Sequence, residues 1–200
     1  MALVKVDRIK AREIFVELSE GREEFEVLEE MVVSSLERIG DDWEKGNASL
    51  SQVYMSGVIC EELIDKFIPS MEIKRKSNPR MAIAVLQDHH GLGKRIVYSV
   101  LRAGGYELLD FGIGVSVDKM IELAIENDIE VLLISTLMLP AALRVKEVKK
   151  GLEDRGFDAK IIVGGAPFRL DENLWKRVDA DACARNASEI LAIIKEVAKS

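Results

Sequence analysis

The hydrophobic period of this 200-residue chain changes once, near residue 80, and that change constrains the fold more than any other feature. Before it, apolar side chains recur at spacings of three and four. Phe25, Leu28, Val32, Leu36 and Ile39 form one stripe; Leu50, Val53, Gly57, Cys60, Ile64 and Phe67 form another. Such spacing gathers apolar groups on one face of a helix. Ser49 followed by Gln52 reads as a capping box that opens the second of these helices. An earlier helix, about Val4 to Leu18, has a weaker stripe and ends at the Ser19–Gly21 break. The first segment therefore reads as a small helical bundle. Between Pro69 and Pro79 lie two prolines, the basic run Lys74-Arg75-Lys76 and no apolar face, the signature of a solvated connector. These boundaries predict a helical domain over 1–78, with its linker at about 69–79, and a second domain over 79–200.

After the connector, short β-branched runs alternate with amphipathic stretches. The expected strands are Met81–Leu86, Glu107–Phe111, Val131–Thr136, Lys160–Val163 and Ala180–Ala184, with helices between them and a last helix over about Ala187–Lys199. Ser116, Asp171 and Asn186 are candidate N-caps. Gly104-Gly105 and Gly156 stand where helices should end. Five βα units predict an α/β domain with a parallel sheet covered on both faces. Right-handed crossovers leave few topologies. The expected one is the flavodoxin-like (Rossmann-like) order 2-1-3-4-5, whose crevice lies outside the carboxyl ends of strands 1 and 3.

Composition excludes several classes. The chain carries 28 basic and 35 acidic side chains, a net charge of -7, and most of the excess lies before residue 80. Binding dominated by a phosphate backbone needs clustered positive charge, so nucleic acid is not an expected partner. No apolar run is long enough to span a bilayer, and the first residues show no signal-peptide core. Two cysteines, Cys60 and Cys183, have neither metal spacing nor a disulfide framework, which suits a reducing cytoplasm.

The crevice loops hold the informative residues. The loop after strand 1 reads Gln87-Asp88-His89-His90-Gly91-Leu92-Gly93-Lys94 and contains both histidines of the chain. Imidazole offers a nitrogen to a metal, and its other nitrogen needs an acceptor to fix tautomer and direction. Asp88 can supply that acceptor to His90, and Gly91 and Gly93 would admit a bulky group. A polar loop with solvent-facing histidines is the competing reading. After strand 3 comes Ser135-Thr136-Leu137-Met138-Leu139-Pro140. Strand 4 ends in Gly164-Gly165-Ala166-Pro167, which permits close approach of a ligand or simply makes a turn.

Taken together, the three loops resemble the cobalamin-binding module of corrinoid proteins and methionine synthase. That family's pattern is D-x-H-x-x-G after strand 1, S-x-L after strand 3 and G-G after strand 4. It is matched by Asp88-x-His90-x-x-Gly93, Ser135-x-Leu137 and Gly164-Gly165. Asp110-Phe111-Gly112 is similar to the family's D-L-G after strand 2. The helical first half resembles the family's cap domain, with Ile39-Gly40, Trp43 and Gly46 at its turn. Three positions depart from the pattern. Gln87 stands where glycine is usual, and Gly91 replaces a common acidic residue. Ala141 stands where methionine synthase has a serine that completes an Asp-His-Ser relay. The relay would then end differently, leaving Asp88 more open to solvent protons.

The resemblance implies cobalamin or a related cobamide as cofactor, bound base-off and His-on. His90 would be the lower axial ligand to cobalt, with Asp88 on its other ring nitrogen. The remaining expected cofactor contacts are His89, Gly91, Leu92, Gly93, Ser135, Leu137, Met138, Gly164, Gly165 and Ala166. Trp43, with Tyr54 and Met55, would cover the upper face. No P-loop, zinc cluster or Ser-His-Asp set is legible, and a chain of this length has no room for a methyl-donor barrel. The expected role is a carrier that moves a methyl group between separate methyltransferase proteins, aided by a reductive activase. A cobalamin-sensing or storage module is the alternative; light-sensing relatives have a histidine eleven residues after the cap tryptophan, where this chain has Tyr54. A response-regulator receiver would need an aspartate at Ser135 and a lysine at Arg185.

Overall fold

The computed structural model describes residues 2–20, 22, 27, 31, 34–35, 38–43, 45–67, 79–187 and 189–197. The chain forms two compact units. One comprises Met1–Lys76 with Arg95–Tyr106, the other Ser77–Lys94 with Glu107–Ser200.

In the first unit, helix α1 spans Arg8–Ser19 and starts later than its apolar pattern suggests. The reason is Asp7, whose carboxylate accepts the Lys10 N–H at 2.9 Å and so sets the N-terminus. Ala11 and Phe15 are its buried face. Helix α2 spans Leu50–Phe67. Its capping box forms as expected: Ser49 N–H donates to Gln52 Oε1 at 2.8 Å, and Gln52 N–H to Ser49 Oγ at 3.3 Å. Gln52 also donates to the Val4 carbonyl, tying α2 to the N-terminal turn. Val53, Ile59, Cys60 and Leu63 are buried, and Gly57 lets Ser99 come close, since a Cβ there would lie 2.9 Å from the Ser99 Cβ. Of the expected stripe before it, Ile39 is buried; Phe25, Leu28, Val32 and Leu36 lie outside the described residues, as does the linker over 68–78.

The second unit is a five-stranded sheet in the order β2-β1-β3-β4-β5, and every pairing is parallel. Its strands are β1 (Met81–Leu86), β2 (Leu108–Val115), β3 (Val131–Ser135), β4 (Lys160–Gly164) and β5 (Ala182–Ala184). Central β1 is buried along its whole length, as a strand covered on both faces must be. Helix α3 (Leu92–Ala103) follows β1, and its body from Arg95 is counted with the first unit. Helix α4 (Val117–Glu126) starts where Ser116 Oγ accepts the Lys119 N–H. One face of the sheet packs Ala82, Ala84, Leu132, Ile134, Ile161 and Val163 against Met120, Ile121, Val148 and Leu152.

The remaining helices are α5 (Leu139–Leu143), α6 (Val145–Glu153), α7 (Ala166–Leu170), α8 (Leu174–Arg177) and α9 (Glu189–Val197). Three details correct the sequence reading. Strand β2 runs four residues past Phe111, because Gly112 and Gly114 adopt positive φ and carry the strand through two register shifts. Strand β5 starts late, because Asp181 turns its carboxylate back onto the Ile161 N–H at 2.7 Å. Asp171 ends α7 instead of capping α8, whose N-cap is Asn173. Asn186 does serve α9, accepting the Glu189 N–H.

Candidate functional site

Parallel register aligns the carboxyl ends of β1, β3, β4 and β5. Val85 pairs with Ser135, Ser135 with Gly164, and Gly164 with Ala184. The loops that leave these ends therefore open on one edge of the sheet.

Asp88 is the hub of that edge. Its side chain is 1% exposed, yet each carboxylate oxygen accepts two N–H donors. Oδ1 takes the His90 backbone N–H at 2.9 Å and the ring Nδ1 at 2.5 Å. Oδ2 takes the backbone N–H groups of Leu137 at 2.8 Å and Met138 at 3.0 Å. Burial alone would raise the carboxyl pKa. The donors from His90, Leu137 and Met138 outweigh it and hold the group far below the ordinary carboxylate range, so Asp88 is an anion. Ala141 does not open it to solvent, contrary to expectation. Ala141 is itself buried, and the oxygen that faces the β3 loop is already filled by two backbone amides.

The two histidines are separated by this arrangement. His90 is oriented by Asp88, with its ring 60% exposed and Nε2 directed away from the carboxylate. A neutral imidazole whose Nδ1–H is committed to an anion carries its lone pair on Nε2, the state a metal ligand requires. His89 instead lies over Gly114, where an added Cβ would fall 2.6 Å from the ring Cε1. Its ring is held against the end of β2.

Glycines fit the other loops together. A Cβ at Gly91 would touch Ile113, and one at Gly93 would touch Ser135 Oγ. Gly165 has φ 117°, and a Cβ there would fall 1.8 Å from the Thr136 carbonyl oxygen. Leu92 opens α3 and Ala166 opens α7, so both stand at the same edge. Lys94, buried, forms an ion pair with Asp110, which also accepts the Gly112 N–H at 2.8 Å. That pair fixes β2 beside the histidine loop, and no periodicity in the sequence announces it. Trp43, half-buried, belongs to the first unit.

The donor set suits a flat metal macrocycle. One outward imidazole nitrogen can take an axial position. Ile113, Leu137, Met138 and Leu139 are 44–52% exposed and offer apolar surface on the loops around it. Residues 80–195 match the family model described as the B12 binding domain. The chain belongs to the B12-binding family. A B12-type corrinoid is thus its cofactor, and residues 1–67 match a second model of the same description.

Relatives of this B12-binding chain are consistent with one another. Trimethylamine corrinoid protein 1 of Methanosarcina mazei is 27% identical over 97% of this chain and 92% of its own length. Monomethylamine corrinoid protein 1 of Methanosarcina barkeri is 28% identical over 80% of this chain and 77% of its own. Among solved structures, a cobalamin-binding protein from Desulfitobacterium hafniense shares the fold with a TM-score of 0.82 at 24% identity, covering 98% of this chain and 95% of that one. The methanol:cobalamin methyltransferase complex from Methanosarcina barkeri contains a chain with the same fold, with a TM-score of 0.73 at 19% identity, covering all of this chain and 77% of that one. Among the described residues no helix is long and apolar enough to cross a membrane.

Proposed function

We propose that this protein is a methyl-carrying corrinoid protein that serves separate methyltransferases, with the cobamide bound base-off and His90 as the lower axial ligand. The observation that carries the reading is the buried Asp88 carboxylate, held by the Leu137 and Met138 amides and presenting the His90 ring. A bound corrinoid supplies methyl-accepting and methyl-donating chemistry at its cobalt. The chain's own residues tune the donor beneath it. Asp88, as an anion on Nδ1, strengthens the imidazole as a ligand and fixes its tautomer. Ser135, Leu137, Gly164 and Gly165 would hold the displaced nucleotide tail. Trp43, Tyr54 and Met55 would be further contacts of the cofactor, contributed by the first unit.

Partners follow from the relatives. Corrinoid proteins for trimethylamine and monomethylamine, and a methanol methyltransferase complex, support a small methylated amine or alcohol as the methyl source. A reductive activase would restore the carrier after accidental oxidation. Transfer distinguishes a carrier from a store or sensor. Protein loaded with methylcobalamin and mixed with an extract of its source cells and a thiol acceptor should lose its methyl group much faster than without the extract. Equal loss with and without extract would favour a storage role.

A further inference from the structure

A second tie joins the histidine loop to the segment after β3. Gln87, just before Asp88, has φ 47°, the left-handed region that a residue bearing a Cβ enters at a cost. The backbone is held there from both sides. Gln87 N–H donates to the Val115 carbonyl at 2.9 Å, and the Asp88 carbonyl accepts the Gly114 N–H at 2.7 Å. The side chain is also engaged: its Oε1 accepts from Arg144 Nη1 at 2.7 Å. Arg144 stands between α5 and α6 and spends the rest of its guanidinium on Glu147, Nε to Oε1 at 2.9 Å and Nη2 to Oε2 at 2.8 Å. A guanidinium is planar with donors in fixed directions, so Glu147 aims Nη1 at Gln87. Glycine at position 87 would make the same turn without strain, but it would offer nothing to Arg144.

We propose that Gln87 and Arg144 are positioning residues that clamp the histidine loop to the β3 loop, keeping Asp88 seated on the Leu137 and Met138 amides and His90 in one orientation. The clamp rests on the reading of His90 as cobalt ligand only for its functional consequence. Its structural part is tested without cofactor.

In the cofactor-free protein, Arg144→Ala should speed hydrogen exchange at the Leu137 and Met138 amides about tenfold, the effect of losing one bond to a charged donor. Gln87→Gly should speed it equally, because it removes the acceptor while leaving the turn free of strain. A residue that only stabilised the fold would speed exchange throughout the domain and not chiefly at these two amides. Gln87→Glu, whose carboxylate can still accept from Arg144, should restore slow exchange. In cobalamin-loaded protein, each loss variant should shift the balance of ligated and unligated spectra about tenfold toward the unligated form, and the double variant no further. Wild-type exchange together with a wild-type ligated fraction in Arg144→Ala would overturn the proposal. A wild-type protein that never shows histidine ligation, with the exchange effects intact, would instead refute the ligand reading and leave the clamp standing.

Discussion

Asp88 shows how much depends on one carboxylate with four donors. Both oxygens accept two N–H groups, so Asp88→Asn is more than a loss of charge. The amide nitrogen would face two N–H donors, whichever way the side chain is turned. We expect Asp88→Asn to destabilise the domain by about 2 kcal/mol and to weaken cobalamin binding about 10- to 100-fold. Urea unfolding and cobalamin titration would measure both; values near wild type would show that the four donors do not hold this loop in place. Its weaker lower ligand should also raise the cobalt(II)/cobalt(I) potential, read by spectroelectrochemistry. The pH dependence has a definite sign. The folded pKa of Asp88 is lowered, so its contribution is complete above the ordinary value of about 4 and drains away as pH falls below it. Wild type should lose stability over that acid range, and Asp88→Asn should show a flatter acid limb. The pairing of Asp88 with His90 was legible from their spacing of two. The grip of the Leu137 and Met138 amides was not, because backbone donors some 49 residues away leave no mark in sequence.

Elements were legible where period and caps agreed. Strand β1 and the Ser49–Gln52 and Ser116 caps lie where the pattern puts them. Ser116→Ala should cost about 1 kcal/mol, seen as a lower denaturant midpoint with an unchanged slope. Strand β2 was read too short because Gly112 and Gly114 look like a stop, whereas here they make bulges. Gly165 is the more exacting glycine. Its φ and the Thr136 carbonyl both exclude a side chain, so Gly165→Ala should cost about 2–3 kcal/mol. It should also weaken cobalamin binding, since it moves the strand 4 loop. A variant as stable as wild type would mean that this loop relaxes freely.

At the scale of the molecule, the change of period near residue 80 is where helical stripes give way to βα units, and the order of strands followed from five such units. The crevice motifs then pointed to the cofactor, because three short patterns fell on three neighbouring strand ends. The Gln87–Arg144 tie was hidden, since it joins a turn and a helix start 57 residues apart, and Gln87 stood out only as a departure from the usual glycine. The central claim is that His90, and not its neighbour, ligates cobalt, and one spectrum tests it most directly. Cobalamin-loaded wild type and His89→Ala should both show a histidine-ligated absorption spectrum at neutral pH. His90→Ala should retain corrinoid, held by the tail channel, and show the base-off spectrum at the same pH. A base-off spectrum in His89→Ala, with ligation intact in His90→Ala, would contradict the account.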